Sequence, residues 1–158
     1  MIRVLFICLG NICRSPIAEG VFSRLVCDRG LSEAFEIASA STGDYHTGEH
    51  PDPRAVRAAM LAGIDISGHV ARRVTREDFD RFDYVLGMDA MNMRDLARIR
   101  PSGSKARVAY FTSFSQGAMP EEIEDPWYGD ESGFDATVRS ARQASEAFLT
   151  HLAAAGKL

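Results

Sequence analysis

Short, mostly apolar runs alternate with longer amphipathic stretches along the chain. The runs at 2–7, 35–40, 82–88 and 106–111 have the length of buried strands. Between them, apolar residues recur at spacings of three and four, which is typical of helices with one buried face. Strands separated by helices favour a parallel sheet with right-handed crossovers, so the pattern predicts an α/β fold. In such sheets, ligands bind beyond the carboxyl ends of the strands.

The predicted helices have clear start and stop signals. Ser15-Pro16 and Asp52-Pro53 each place a capping residue before a proline that suits the first helical turn. Asp89 is placed to cap a helix that ends before Pro101, and the segment 75–78 resembles a capping box that starts a short helix. The positions expected to face inward are, in chain order, Ile17, Ala18, Val21, Phe22, Leu25, Val26, Ala55, Val56, Ala59, Met60, Met93, Leu96, Ile99, Phe134, Val138, Ala141, Ser145, Phe148 and Leu152.

Length and composition fit one soluble globular domain that spans residues 1–158. Hydrophobic residues make up 46% of the chain and charged residues 25%, which excludes disordered and fibrous classes. The net charge of −4 and the lack of a long basic cluster argue against nucleic acid or a membrane surface as a partner. The chain has three cysteines and neither a secretory signal nor an apolar span long enough to cross a membrane. We therefore expect free thiols and a cytoplasmic location.

The cysteines make a poor metal site. Cys8 and Cys13 are separated by four residues, with no second Cys or His pair at ligand spacing, so we expect no metal. Two interpretations of Cys13 stay open. It is either a thiol packed in the core or the partner of Cys8 in a reversible disulfide that protects Cys8 from irreversible oxidation. Cys27 follows Val26 on the apolar side of the first predicted helix, and we expect it in the core.

The first strand leads into the sequence Cys8-Leu9-Gly10-Asn11-Ile12-Cys13-Arg14-Ser15-Pro16. A strand that turns tightly into a helix leaves successive N–H groups free to bind an anion. Arg14 offers a planar fork that matches two phosphate oxygens, and the amides, the helix end and Arg14 together favour a thiolate at Cys8. The alternative is an inert buried thiol and an ordinary surface charge. The strand that precedes this segment and the Ser-Pro helix start that follows it favour the first interpretation, a nucleophile that faces a bound phosphate.

Attack of a thiolate on a phosphate ester also requires an acid for the leaving oxygen. The best candidate is Asp125, which precedes Pro126 and two aromatic residues, Trp127 and Tyr128, that can wall a pocket for an aryl group. The alternative is a solvated acidic turn with Trp127 packed in the core.

Three further features lie near this chemistry in the predicted fold. The polar segment 41–50 is predicted to form a loop at the edge of the site. His69 is either a proton donor or a structural histidine. Ser39 is either a hydroxyl that supports the loop or an ordinary residue at the end of a strand.

Four segments resemble the low-molecular-weight protein tyrosine phosphatase family: 8–15, 52–56, 77–86 and 125–128. The resemblance extends over nearly the whole chain. It implies a flavodoxin-like, three-layer αβα fold with a four-stranded parallel sheet. It also implies hydrolysis of phosphotyrosine in proteins, and of small aryl phosphates, through a cysteinyl-phosphate intermediate, without metal or cofactor. Cys8 is then the nucleophile, Arg14 binds phosphate and Asp125 is the general acid.

The resemblance assigns further residues to the site. It implies a phosphate-binding loop of Leu9, Gly10, Asn11, Ile12, Cys13 and Ser15, and a hydrogen-bonded set of Asn11, Ser15, Ser39 and His69 that holds this loop. It places Ile12, Tyr45, Trp127 and Tyr128 around the aryl group. The chain departs from the commoner Asp-Pro-Tyr-Tyr pattern of the family at Trp127. The implied partners are a phosphotyrosine protein and inorganic phosphate or another oxyanion in the site.

Three alternatives stay open. Arsenate reductases of this fold use two further cysteines downstream, and this chain has none after Cys27. Protein arginine phosphatases resemble the chain but have a threonine where it has Ile12. A non-catalytic phosphotyrosine-binding module needs neither the thiol of Cys8 nor the acid of Asp125.

Overall fold

Four parallel strands form a single sheet in the computed structural model, which describes residues 1–158. The strands are β1 (Ile2–Cys8), β2 (Phe35–Ser41), β3 (Tyr84–Gly87) and β4 (Arg107–Tyr110), in the spatial order β2-β1-β3-β4. The register pairs Cys8, the last residue of β1, with Ser41, the last residue of β2. Both strands therefore end at the same level of the sheet.

Five α-helices connect and follow the strands: α1 (Arg14–Asp28), α2 (Pro53–Leu61), α3 (Asp78–Arg81), α4 (Ala90–Ile99) and α5 (Glu131–Ala154). Short 3₁₀ turns occupy Ser32–Ala34, Phe111–Ser115 and Pro126–Tyr128. Asp52 caps α2 by accepting a hydrogen bond from Arg54 N, and Asp89 forms a capping box with Asn92 at the start of α4. These two predicted helix starts are confirmed. None of the helices combines the length and the apolar character required to span a bilayer.

Side chains of β1 alternate between two buried layers, as the pleat of a strand requires. Phe6 packs in the larger apolar cluster together with Phe22 of α1 and Phe148 of α5. Leu5 lies in a second cluster with Leu96 of α4. Helices therefore cover both faces of the sheet, which confirms the predicted αβα layers and the four-stranded parallel sheet.

The connection after β1 leads to β2 on one side of β1, and the connection after β2 leads to β3 on the other side of β1. Ligand sites of parallel sheets form at such a switch point, outside the carboxyl ends of the strands. Cys8 ends β1 at this edge, and Asp89 follows β3 at the same edge. The strand order thus brings the segment after β1 next to the segment after β3.

Two strands are shorter than predicted. The apolar runs 82–88 and 106–111 contain β3 and β4, but their outer residues Phe82, Met88, Ala106 and Phe111 lie outside the hydrogen-bonded ladder although they are buried. A run of apolar residues indicates which positions are buried. The buried positions extend beyond the last residues that pair with a neighbouring strand.

Two predicted core positions are wrong. Cys27 is exposed, and the side chain of Met60 is 51% exposed. Each of them directly follows a buried residue, Val26 or Ala59. One further residue turns the side chain by about 100° around the helix axis, which is enough to leave the buried face.

The start of α1 also differs from the prediction. The helix begins at Arg14, and Cys13 takes the N-cap position without a side-chain hydrogen bond. Ser15 does not cap the helix, because its hydroxyl bonds the thiol of Cys8 instead.

The predicted capping box before α3 is only half formed. Asp78 Oδ2 accepts from Thr75 N at 2.8 Å, as such a box requires. Asp78 N, however, bonds the carbonyl oxygen of Thr75 at 3.2 Å and not its hydroxyl. The helix therefore begins at Asp78 itself, which also pairs with Arg72.

Candidate active site

The segment 9–13 joins β1 to α1 as a tight loop whose carbonyl groups are bound from outside. Leu9 O accepts from Gly43 N at 3.0 Å, and Ile12 O accepts from Asp52 N at 2.9 Å. Asn11 has a φ of 58°, in the left-handed region that asparagine adopts more readily than most residues. With the carbonyls engaged outside the loop, its N–H groups are free to point toward the centre.

Cys8 lies at the centre of this loop and is only 2% exposed. Its Sγ atom is 3.3 Å from Asn11 N and 3.4 Å from Ser15 N, and both N–H groups donate to the sulfur. Ser15 Oγ lies 2.9 Å from the same sulfur. The N–H of Ser15 belongs to the first turn of α1, where the helix dipole favours a negative charge. Such surroundings are typical of reactive thiols.

The side chain of Asn11 sets the direction of the hydrogen bonds around the thiol. Its Oδ1 accepts from the backbone N of Arg72 at 3.1 Å, and a backbone N–H can only donate. Nδ2 is therefore the atom that donates to Ser15 Oγ at 2.8 Å and to Ser39 Oγ at 3.0 Å. Because Ser15 Oγ accepts from Asn11, its own hydrogen is free to point at Cys8.

His69 and Glu19 complete this buried network. His69 Nε2 donates to Asn11 Oδ1 at 2.9 Å, while its Nδ1 lies 3.8 Å from Glu19 Oε1. Ser39 Oγ donates to the same Glu19 oxygen at 2.6 Å. Burial lowers the pKa of His69, and the Glu19 carboxylate offsets this only in part. The imidazole is therefore neutral at pH 7 with its hydrogen on Nε2.

Arg14 is 2% exposed and spans the crevice between the ends of β1 and β3. Its Nη1 donates to Asp89 Oδ2 at 2.7 Å and to Ile123 O at 2.9 Å, and its Nη2 lies 3.5 Å from Asp125 Oδ2. Burial opposes the charge of Arg14, but its interactions with Cys8, Asp89 and Asp125 outweigh this effect and raise the pKa of Arg14. The guanidinium is thus held rigidly and fully charged.

Asp125 begins the 3₁₀ turn Pro126–Tyr128 and is held by it. Its Oδ1 accepts from Trp127 N at 3.0 Å, and its side chain is 29% exposed. This hydrogen bond directs the other oxygen, Oδ2, toward Arg14. Asp125 is therefore held in a fixed orientation beside Arg14.

Arg54 of α2 supports this turn from behind. Its guanidinium forms a paired contact with the buried carboxylate of Asp52, at 2.9 and 3.1 Å. The guanidinium carbon lies 5.5 Å from the ring centre of Trp127 and 4.6 Å from that of Phe134, and both Nη atoms lie 3.5 Å from Trp127 O. The hydrogen bonds of Arg54 lower the pKa of Asp52 against the effect of burial, so both partners stay charged. Since Asp52 N also binds Ile12 O, the start of α2 joins the loop of Cys8 to the turn of Asp125.

These groups surround one cavity of about 450 Å³, a volume that suits a small ligand. It is lined by Cys8, Leu9, Gly10, Ile12, Cys13, Arg14, Tyr45, His46, Asp125, Trp127 and Tyr128. The ring of His46 packs against that of Trp127, with ring centres 5.5 Å apart and planes tilted by 48°. No group of three His, Cys, Asp or Glu side chains is arranged to hold a metal ion.

Cys13 lines the cavity but differs from Cys8 in its surroundings. Burial, followed by the charge of Cys8, raises the pKa of the Cys13 thiol well above its ordinary range. Cys13 is therefore a neutral thiol at pH 7. Cys8 and Cys13 are both reduced in the structure.

A model of one protein family, described as low molecular weight phosphotyrosine protein phosphatase, matches residues 3–158. The chain belongs to the low molecular weight phosphotyrosine protein phosphatase family. This confirms the resemblance that the four sequence segments predict.

Individual members of the phosphatase family are similar over the same length. The Schizosaccharomyces pombe protein of that name is 40% identical over 153 residues, which are 96% of this chain and 97% of the relative. The Homo sapiens protein of that name is 44% identical, with 92% of each chain covered. The solved structure of a protein tyrosine phosphatase from Entamoeba histolytica, with Hepes in its active site, has a TM-score of 0.91 and 34% identity over 100% of both chains.

Sequence analysis missed four contributors to this phosphatase-family site: Glu19, His46, Arg54 and Asp89. Asp89 was predicted only as a helix cap, although its place after a strand at the carboxyl edge was a signal that it could reach the site. Nothing in the local sequence points to Glu19 or Arg54, because each acts through a residue distant in the chain.

The alternative interpretations of the sequence are not favoured. Trp127 is 39% exposed and lines the cavity, so the alternative of a solvated acidic turn with Trp127 packed in the core is wrong. The relatives that match are named phosphotyrosine protein phosphatases, and the chain lacks the downstream cysteines of the reductase alternative.

Proposed function

We propose that this chain hydrolyses phosphotyrosine in proteins, and small aryl phosphates, through a phosphocysteine intermediate on Cys8. The observation that carries this proposal is the sulfur of Cys8, which receives two backbone N–H groups and lines the same cavity as Arg14 and Asp125. A binding module needs neither a thiol held by N–H groups nor a carboxylate fixed in the same cavity. The family membership supports the same activity.

Substrate binding uses the loop and Arg14. Nη1 of Arg14 is already engaged by Asp89 and Ile123, and Nη2 faces Asp125 at 3.5 Å. Because Nη2 carries two hydrogens, Nε–H and the Nη2 hydrogen beside it can still bind two phosphate oxygens. The N–H groups of the loop segment 9–15 bind the remaining oxygens and place phosphorus over Cys8. This arrangement stabilises the charge of a loose phosphoryl-transfer transition state, which is the main source of catalysis in such reactions.

In the first chemical step, the Cys8 thiolate attacks phosphorus and forms the S–P bond. The bond between phosphorus and the phenolic oxygen breaks, and its electron pair leaves with that oxygen. Asp125 gives its proton to the oxygen, so that a neutral phenol departs. Ser15 Oγ, whose hydrogen is directed at the sulfur by Asn11, stabilises the anionic sulfur before attack.

In the second step, the Asp125 carboxylate takes a proton from a water molecule. The water oxygen forms a bond to phosphorus, the S–P bond breaks, and inorganic phosphate and the Cys8 thiolate are released. The protonated Asp125 is then ready for the next substrate. The reaction uses no metal and no cofactor.

The walls of the cavity fit an aromatic leaving group. Ile12 and Trp127 offer apolar surface near the phosphate site, and the exposed rings of Tyr45 and Tyr128 stand at the entrance. We also propose a reducing compartment such as the cytoplasm, because the reaction requires Cys8 as a free thiolate.

A rapid-quench experiment with a radiolabelled aryl phosphate tests the proposal. We expect a burst of phenol that equals the enzyme in amount and a phosphate label on Cys8. Cys8→Ser removes both the burst and turnover, while the control Cys27→Ser, at an exposed cysteine outside the cavity, retains them. A label on another residue, or full turnover by Cys8→Ser, would reject the mechanism.

A further inference from the structure

The catalytic cavity opens onto two grooves of opposite charge. The first, here called the basic groove, has a volume of about 570 Å³ and shares Leu9 and Tyr45 with the cavity. The second, here called the acidic groove, has a volume of about 700 Å³ and shares Asp125 with the cavity. The two grooves meet at Met91. A peptide that extends beyond the cavity can therefore reach both grooves.

The basic groove is lined by the charged residues Asp44, Arg73, Arg76, Asp95 and Arg98. Two of its arginines already have partners: Arg73 is 3.9 Å from Asp44, and Arg98 is 3.2 Å from Asp95. Arg76 is exposed and forms no ion pair. The groove therefore has an excess of positive charge, centred on Arg76.

The acidic groove has the opposite balance. It is lined by the charged residues Asp89, Arg94, Glu121, Glu122, Glu124 and Asp125. Glu122 accepts a hydrogen bond from Ala90 N at the start of α4, and Glu121 and Glu124 are exposed. Apart from Asp89 and Asp125, which pair with Arg14, its carboxylates have no cationic partner within ion-pair distance.

We propose that this charge difference makes the enzyme select phosphotyrosine segments by polarity, with acidic residues on the flank that enters the basic groove and basic residues on the other flank. The proposal rests on the phosphotyrosine phosphatase activity proposed above. Each contact between exposed charges changes affinity by roughly 1.5- to 5-fold, so one contact at Arg76 and two in the acidic groove together give a preference of about tenfold. Because the reacting atoms are the same in both orientations, the preference is expected mainly in KM.

The site fits separate charges of a folded or flexible protein segment. The two carboxylates within the basic groove interrupt its positive charge, and the acidic groove beside it repels a continuous polyanion. A nucleic acid or an anionic membrane surface would be repelled by both groups of carboxylates at once. A peptide with charges of opposite sign on its two flanks avoids both repulsions.

Two phosphopeptides with the same composition test the proposal. One has the order Asp-Asp-Ala-phosphotyrosine-Ala-Lys-Lys, and the other has the lysines before and the aspartates after. Both have the same net charge, so general attraction or repulsion by the enzyme cancels. We expect kcat/KM to differ about tenfold at low salt, and the ratio to fall toward one as salt rises, since screening removes contacts between exposed charges. Equal kcat/KM at low salt overturns the proposal.

Charge reversal locates the effect. In the double variant Arg76→Glu with Arg98→Glu, the preference is expected to vanish or invert. Arg73 is left unchanged, because its Nε also donates to the backbone of Thr42 next to the catalytic loop. The control variant carries Arg29→Glu with Arg107→Glu, which reverses two exposed arginines at the opposite, amino-terminal edge of the sheet. A ratio that the control changes as much as the test variant contradicts the proposal.

Hydrolysis of p-nitrophenyl phosphate separates this proposal from the proposed activity. None of the substituted arginines lines the cavity that holds the small substrate, so all three proteins should hydrolyse it at the same rate. If the wild-type protein hydrolyses p-nitrophenyl phosphate but treats both peptides equally, polarity selection is wrong and the phosphatase activity stands. If it hydrolyses neither, the proposed function itself fails.

Discussion

The guanidinium of Arg54 lies against the ring of Trp127, 5.5 Å from its centre, and contacts the carbonyl oxygen of the same residue. Trp127 N in turn donates to Asp125. The position of the proposed general acid therefore depends on an arginine that does not line the cavity. This chain of contacts gives Arg54 a positioning role that differs from a general contribution to stability.

Arg54→Ala is predicted to slow hydrolysis most for aryl phosphates with poor leaving groups. Without the guanidinium, Asp125 spends less time within reach of the leaving oxygen, and only a poor leaving group depends on its proton. We expect a loss of kcat of roughly tenfold with phenyl phosphate and little change with 2,4-dinitrophenyl phosphate. The matched control is Arg57→Ala, which removes an exposed arginine of the same helix that pairs with Glu131. Equal losses with both substrates would point to a structural role alone.

Asp125→Asn is predicted to produce the same leaving-group dependence in a stronger form. The amide keeps the hydrogen bond to Trp127 N but cannot donate the proton of an acid. We expect about a 100-fold loss with phenyl phosphate and a much smaller one with 2,4-dinitrophenyl phosphate. Adding Arg54→Ala to this variant should cause no further loss, because the group that Arg54 positions is gone. Additive losses would show that Arg54 acts elsewhere.

Asn11 has two roles: its backbone adopts the left-handed conformation and its side-chain amide orients Ser15. Two variants separate these roles. Asn11→Ala and Asn11→Gly both remove the amide that orients Ser15, so both are expected to lose activity by roughly tenfold or more. Only alanine is strained at a φ of 58°. Urea unfolding should therefore show Asn11→Ala to be less stable than Asn11→Gly by about 1 kcal/mol. Equal stability of the two variants would contradict the left-handed conformation.

His69 is predicted to make stability depend on pH in the weakly acidic range. Burial lowers its pKa in the folded protein below the ordinary value of 6.5. As the pH falls through 6.5, His69 in the unfolded chain binds a proton before His69 in the folded protein does. The contribution of neutral His69 to the free energy of unfolding is therefore complete above that pH and is lost below it. The free energy of unfolding should therefore decrease more between pH 7.5 and pH 5, roughly the range over which histidine titrates, for the wild type than for His69→Gln. Parallel pH profiles of the two proteins would refute this assignment.

The local sequence was sufficient to predict the strands and helices in outline and the loop at the centre of the site. The loop from Cys8 to Ser15 is continuous in the chain, and a strand followed by a tight turn and a helix places its N–H groups in one way. Helix faces and capping residues such as Asp52 and Asp89 are likewise determined by neighbours within a few positions. Cys27 and Met60 were wrongly predicted to be buried. Each lies next to the last residue of a buried helix face, and the sequence pattern does not locate that boundary to within one residue.

By itself, the sequence determined the α/β class and the family, and it pointed to the residues that we propose as nucleophile, phosphate-binding arginine and acid. Only the tertiary structure decided that Asp89 holds Arg14, that Glu19 receives the hydroxyl of Ser39 and that Arg54 supports the turn of Asp125. The physical reason is that these contacts join segments far apart in the chain. They form because the strand order β2-β1-β3-β4 brings particular loops to one edge, and no local pattern of residues encodes that order.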